Sequence, residues 1–237
     1  MPEGVTDHPI FTESIRRIRG LLAQRAAVDA VLAAQLSGLS ALEREVLERC
    51  IHSSGDVSIA SDLVFSPAQA DRPMAGKGAC MLAQEALRAG APILTDTAMA
   101  AAAVAPMARR CFGNTVHCLL DWAPDQAPTG DTRSAAAVLP AWEALSAEGQ
   151  APLVLIGSAP TALERLLDLV TAGARRPSLV VGMPVGFVGV AESKRHLAES
   201  DWPQIRLEGS RGGASLAAAA LNALLRHAWL DQAALPR

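Results

Sequence analysis

Five short apolar runs limit what this chain can fold into: "PILT" (92–95), "TVHCLL" (115–120), "PLVLIG" (152–157), "SLVVG" (178–182) and "QIRL" (204–207). Each is too short for a core helix, and most are followed by a turn signal and then a helical pattern. "PTALERLLDLVTAG" (160–173) and "GASLAAAALNALLRHAWL" (213–230) are two such patterns. Strands alternating with helices predict a parallel sheet covered on both faces. Alanine is heavily used and there is no Tyr, which suits helices packed closely on a sheet.

Two helices are expected before the first of these runs. Residues 9–22 place Ile10, Phe11, Ile15, Ile18 and Leu22 at helical spacing, with Ser14 on the same side. Residues 40–51 form a second helix, opened by a Ser40–Glu43 capping box and stopped at Gly55. His52 therefore falls in its last turn. Residues 66–79, rich in Gly and Pro, read as a surface loop. The expected organisation is one α/β domain over 1–237, with helices in 1–65 and a parallel-sheet core in 90–230.

Composition excludes several functions. A net charge of −3, no long basic run and few aromatics argue against nucleic-acid binding. No apolar run reaches membrane-span length and no signal pattern opens the chain, so no membrane partner and a cytoplasmic location are expected. Cys50, Cys80, Cys111 and Cys118 form no C-x-x-C pair and read as buried thiols. Cys50 and His52 diverge on their helix, and His117 and Cys118 on their strand, so no metal site is expected.

In an open parallel sheet, ligands bind beyond the carboxyl ends of the strands. There this chain has "TDT" (95–97), "GSAPT" (157–161), "GMPVGF" (182–187) and "GSRGG" (209–213). Glycine lets a ligand approach backbone amides, and helix N-termini add free N–H donors. Such a rim suits a ligand with several carboxylates or phosphates. Arg133, opening the helix of "DTRSAAAV", is placed to steer one of them. Gly182 and Gly186, within these loops, are expected to let the ligand approach. Glu192 and Lys194 are expected either to order the helix start or to reach a subunit interface, since an exposed i,i+2 pair does not share a helix face.

Of five His, His8, His196 and His227 read as solvated and His117 as a core residue. His52 stands apart, because a helix C-terminus favours an imidazolium, which is a ready proton donor.

Several segments together resemble precorrin-8X methylmutase, a corrin-ring enzyme family. They are "IHSSGDVSIASDLVFSP" (51–67), "GAPILTDTAM" (90–99), "TRSAAA" (132–137), "GSAPTAL" (157–163), "GMPVGFVGVAESK" (182–194) and "SRGGASLAAAALNAL" (210–224). The resemblance implies a three-layer, flavodoxin-like, doubly wound sheet of five parallel strands with an N-terminal helical extension. It implies an isomerase that moves a methyl group from C-11 to C-12 of precorrin-8X, or of its cobalt form, with no cofactor. It implies a homodimer holding the tetrapyrrole near the subunit interface. His52 matches the family's proton donor and acceptor, and Ser14 a substrate-contacting serine. The resemblance and the rim together give a wider substrate-binding set. Asp96, Arg133 and Ser134 come from its first half, and Gly157, Ser158, Ala159 and Thr161 from the next loop. Gly186, Phe187, Arg211, Gly212, Gly213 and Ser215 complete it. A corrinoid carrier of the same fold without catalysis is the alternative.

Overall fold

The structure, a computed structural model, describes residues 8–66, 77–147 and 149–234. Of the loop expected at 66–79, residues 67–76 lie outside the described residues. The chain opens with three helices, α1 (Pro9–Ala26), α2 (Ala30–Gly38) and α3 (Ala41–Ser54), and then strand β1 (Leu63–Phe65). Next come α4 (Ala79–Arg88), β2 (Ile93–Thr95), α5 (Ala98–Cys111), β3 (Val116–Cys118) and α6 (Arg133–Ser146). The chain continues through β4 (Leu153–Ile156), α7 (Pro160–Thr171), β5 (Leu179–Gly182), α8 (Val190–Glu199), β6 (Gln204–Leu207) and α9 (Ala214–Ala234). No described helix is long and apolar enough to cross a membrane.

All five expected strands form, and they run parallel in the order β3-β2-β4-β5-β6. Among the described residues the sheet nevertheless has six strands and is mixed, which corrects the expectation of five parallel ones. β1 pairs antiparallel with β6, Val64 facing Arg206 across the ladder. Three residues on an exposed edge carry too little alternation to be read as a strand from sequence.

Side-chain alternation splits the core into two layers. Ile93, Leu153, Leu155, Leu179, Val181 and Ile205 pack on one face with α3, α4 and α9. Leu94, Val154, Ile156 and Val180 pack on the other with α6 and α7. The N-terminal helices belong to the first layer, since Ile18, Leu22, Leu32, Val46, Leu47 and Ile51 share its core. They are thus built into the sheet's cover rather than appended to it. The apolar stripe of α1 is narrower than expected, because Ile10 is 73% exposed.

The thiols stay free, with Cys50, Cys80 and Cys118 buried and Cys111 half-buried. Burial pushes the Cys50 thiol up to about 12. His8 is exposed as expected, His117 is less buried than a core residue, and His196 and His227 are less solvated than expected. His196 Nδ1 lies 2.7 Å from Glu164 Oε1 and His227 Nδ1 3.1 Å from Asp231 Oδ2. His117, on the edge strand β3, is half-buried against Trp122.

Candidate active site

His52 owes its position to how α3 begins and ends. Ser40 and Glu43 form the expected capping box, and Gly55 stops the helix with a left-handed φ of 70°. Val46, Leu47, Cys50 and Ile51 turn inward and leave His52 exposed in the last turn. α1 then crosses beside it. Ser14 Oγ lies 2.7 Å from His52 Nδ1. The Phe11 ring meets the imidazole edge-on at 5.1 Å, and the Arg49 guanidinium stacks 4.2 Å from the Phe11 centroid. One turn or more away, Arg19 makes a two-pronged contact with the buried Glu48 at 2.7 and 2.8 Å. Two attachment points therefore hold α1 against α3, and one of them is His52 itself.

The segment after His52 is fastened to the loop after β6. Asp56 accepts from Ser58 N at 2.8 Å and so caps a short 3-10 turn at Val57–Ser61. Arg211 donates to Asp56 Oδ2 at 2.7 Å, and also to Ser58 Oγ and Asp62 Oδ2. The Ser58 hydrogen bonds, then Arg211, hold the Asp56 carboxyl below its ordinary range. Beneath Arg211 sits Lys194, which corrects the expectation of an exposed pair with Glu192. Lys194 is fully buried, and its Nζ donates to Gly209 O at 2.8 Å and Arg211 O at 2.6 Å. Burial lowers its ammonium to about 8.

The rim of loops exists, but several of its amides already have partners within the protein. β2 and β4 flank the point where the parallel strand order reverses, the usual ligand crevice. There Asp96 Oδ2 accepts from the N–H groups of Gly157, Ser158 and Ala159 at 3.0, 2.6 and 2.8 Å. An internal carboxylate occupies the place expected for a ligand's. Burial raises the Asp96 carboxyl even against those three donors. Gly186 N donates to Ser210 O and Gly213 N to Met183 O, so neighbouring loops bind one another.

The glycines follow the same logic. A Cβ on Gly212 would meet Met183 O at 2.1 Å, and one on Gly157 would meet Ala214 Cα at 2.6 Å. What approaches these backbones is the chain itself. Gly182 faces Leu197 and Gly189 caps α8 with a φ of 69°, so neither is explained by room for a ligand.

The remaining candidates lie across the strand ends from His52. Arg133 opens α6, exposed, its Nε donating to Pro124 O at 2.7 Å, with Ser134 half-buried beside it. Thr161 shares a 2.7 Å hydrogen bond with Thr132, the cap of α6. α6 and α7 cover the opposite face of the sheet from α3, so a ligand touching both His52 and Arg133 must span the strand ends. Ser215 is exposed at the start of α9. Phe187 is 96% exposed, between the exposed Val185 and Val188.

One feature escaped the motif reading. A cavity of about 880 Å³ runs between α1, α3 and the last part of α9. Phe11, Arg16, Arg19, Arg44, Arg49 and Arg226 line it. The available signal was spacing: residues 41, 45, 48 and 52 form one stripe on α3, which ends at His52.

Comparison with known proteins is consistent along the whole chain. The family described as CbiC, precorrin-8X methylmutase, matches residues 9–227. The chain is 43% identical over 196 residues to a precorrin-8X methylmutase of Pseudomonas aeruginosa, covering 81% of this chain and 87% of that one. It is 34% identical over 229 residues to a cobalt-precorrin-8 methylmutase of Synechocystis, covering 95% and 98%. A solved precorrin-8X methylmutase structure from Thermus thermophilus superposes with a TM-score of 0.74 at 38% identity, covering 95% of this chain and 99% of that one.

Proposed function

The chain belongs to the precorrin-8X methylmutase family, and from that premise we propose that His52 supplies and recovers the proton for its reaction. The protein is an isomerase that moves a methyl group from C-11 to C-12 of the precorrin-8X macrocycle, or of its cobalt form. The product is hydrogenobyrinic acid or the cobalt-containing counterpart. Protonation of a ring position by His52 polarises the conjugated system. The bond from C-11 to the methyl carbon breaks as the bond to C-12 forms. The proton then returns to the imidazole, so nothing is gained or lost overall.

The observation that carries this reading is the 2.7 Å contact between Ser14 Oγ and His52 Nδ1. With Nδ1 engaged, the ring is oriented and Nε2 is the nitrogen that meets substrate. Ser14 thus acts through His52. Catalysis otherwise consists of holding the ring in place. Arg133, Ser134, Thr161, Phe187 and Ser215 border the space over the strand ends. Asp96, Gly157, Ser158, Ala159, Gly186, Arg211, Gly212 and Gly213 build its floor: Asp96 holds the amides of 157–159, Gly186 and Gly213 bind Ser210 and Met183, Arg211 binds Asp56 and Asp62, and Gly212 packs against Met183 O.

The finer architecture belongs to the same reading. We take the chain as one domain with a flavodoxin-like core, the parallel order β3-β2-β4-β5-β6 supporting it and β1 being an added edge. A second copy covers the apolar tip of Val185, Phe187 and Val188, giving a homodimer with the ring near the interface.

The test is His52→Ala in full-length protein, assayed by the visible-absorption change on conversion of precorrin-8X. Loss of a proton donor lowers turnover by ~10²–10⁴. Wild-type turnover in this variant, with the native fold kept, would remove His52 from the mechanism.

A further inference from the structure

Five of the rim amides, those of Gly157, Ser158, Ala159, Gly186 and Gly213, are engaged with Asp96, Ser210 and Met183. A tetrapyrrole with many acidic side arms needs its cations elsewhere. Five arginines and two glutamates line the cavity between α1, α3 and α9, in a protein whose net charge is −3. The two glutamates are matched within it, Glu48 by Arg19 and Glu45 by Arg226. Arg16 is 73% exposed and pairs with Glu13, which lies outside the lining. Arg44 Nη2 donates to Leu36 O, a neutral carbonyl, and no ion pair among the described residues offsets its charge. The cavity is thus a positively charged recess.

Its position matters as much as its charge. Glu45, Glu48 and Arg49 line the α3 wall, and His52 is the next position on that stripe. Phe11 is the partition, since it lines the cavity and also packs edge-on against His52. A ligand whose flat ring lies at Phe11 and His52 would have side arms that reach into the recess.

We propose that this cavity binds carboxylate side arms of the tetrapyrrole, with Arg16 and Arg44 as the cations that receive them. Arg44 is held in place by its bond to the end of α2, so its guanidinium is pre-oriented. The proposal rests on the functional reading above, and adds to it where the acidic periphery of the ring goes.

The experiment titrates hydrogenobyrinic acid and its fully esterified form into wild type, Arg16→Gln and Arg44→Gln, following visible absorption. Losing one charge-assisted contact weakens binding of the free acid by ~10-fold or more in each variant. In turnover the loss falls on KM rather than kcat. The ester binds all three proteins alike, because it has no carboxylates to lose. Arg16→Gln guards against misfolding, since that side chain is mostly in solvent; thermal melts check both variants. Unchanged affinity for the free acid in both natively folded variants would overturn the proposal. So would a loss of affinity that follows dissociation of a dimer in sedimentation, because the cavity would then be a subunit contact. Failure of the functional reading looks different: wild type would bind hydrogenobyrinic acid in an arginine-dependent way but not convert precorrin-8X.

Discussion

Ser14 reaches His52 from a helix 38 residues earlier in the chain, and that one contact gives the imidazole a defined orientation. Ser14→Ala should therefore lower kcat ~5-fold while leaving KM close to wild type, since a neutral hydrogen bond contributes about 1 kcal/mol. An increase in KM with constant kcat would make Ser14 a substrate contact instead. Lys194 gives a second prediction at this scale. Its folded-state value of about 8 lies below the ordinary 10.5. Between those pH values the unfolded chain keeps a proton that the native protein has released. This group therefore makes stability rise with pH across that window. Urea midpoints at pH 8 and pH 10 should show that rise in wild type relative to Lys194→Met. Parallel pH dependence in the two proteins would contradict the burial argument. His52 was legible as a residue because a helix, its cap and its stop are all local signals. Lys194 was not, because burial depends on the loop after β6 folding over it.

At the scale of elements, the loops at the strand ends lock together through backbone contacts that tolerate no side chain. Gly212→Ala would place a methyl group on two carbonyl oxygens, Met183 O at 2.1 Å and Pro184 O at 2.7 Å. Neither oxygen can swing aside as a side chain could. Destabilisation by about 1–3 kcal/mol is expected, read as a lower thermal midpoint. Gly55→Ala should cost less, because nothing lies near its Cβ and only the φ of 70° is unfavourable. Equal effects of the two substitutions would argue against the locked rim. The sequence showed that glycines crowd the strand ends, but two causes leave the same mark: a ligand drawing near, or another loop. Asp96 shows why they could not be separated. Its place after β2 was evident, while its three partners after β4 come from 61–63 residues away.

For the whole molecule, the tip formed by Val185, Phe187 and Val188 is the clearest unresolved demand. Phe187 and Val188 are 96% and 87% exposed, at the end of the sheet where the site lies. The proposed dimer predicts that Phe187→Asp sediments nearer the monomer than wild type does, with activity falling in step. A variant that stays dimeric would place that tip against substrate alone.

The sequence by itself determined the five parallel strands, the helices between them and the place of His52 in the last turn of α3. Those depend on periodicity, capping and turn chemistry, which act over a few residues. Only the tertiary structure decided that β1 completes the sheet, that Ser14 meets His52 and that Arg211 clamps Asp56 and Asp62. It alone decided that the rim's amides face inward and that arginines from three helices gather into one recess. The reason is physical: hydrogen bonds and charges act through distance in space, and a lone segment does not carry the positions of its distant partners.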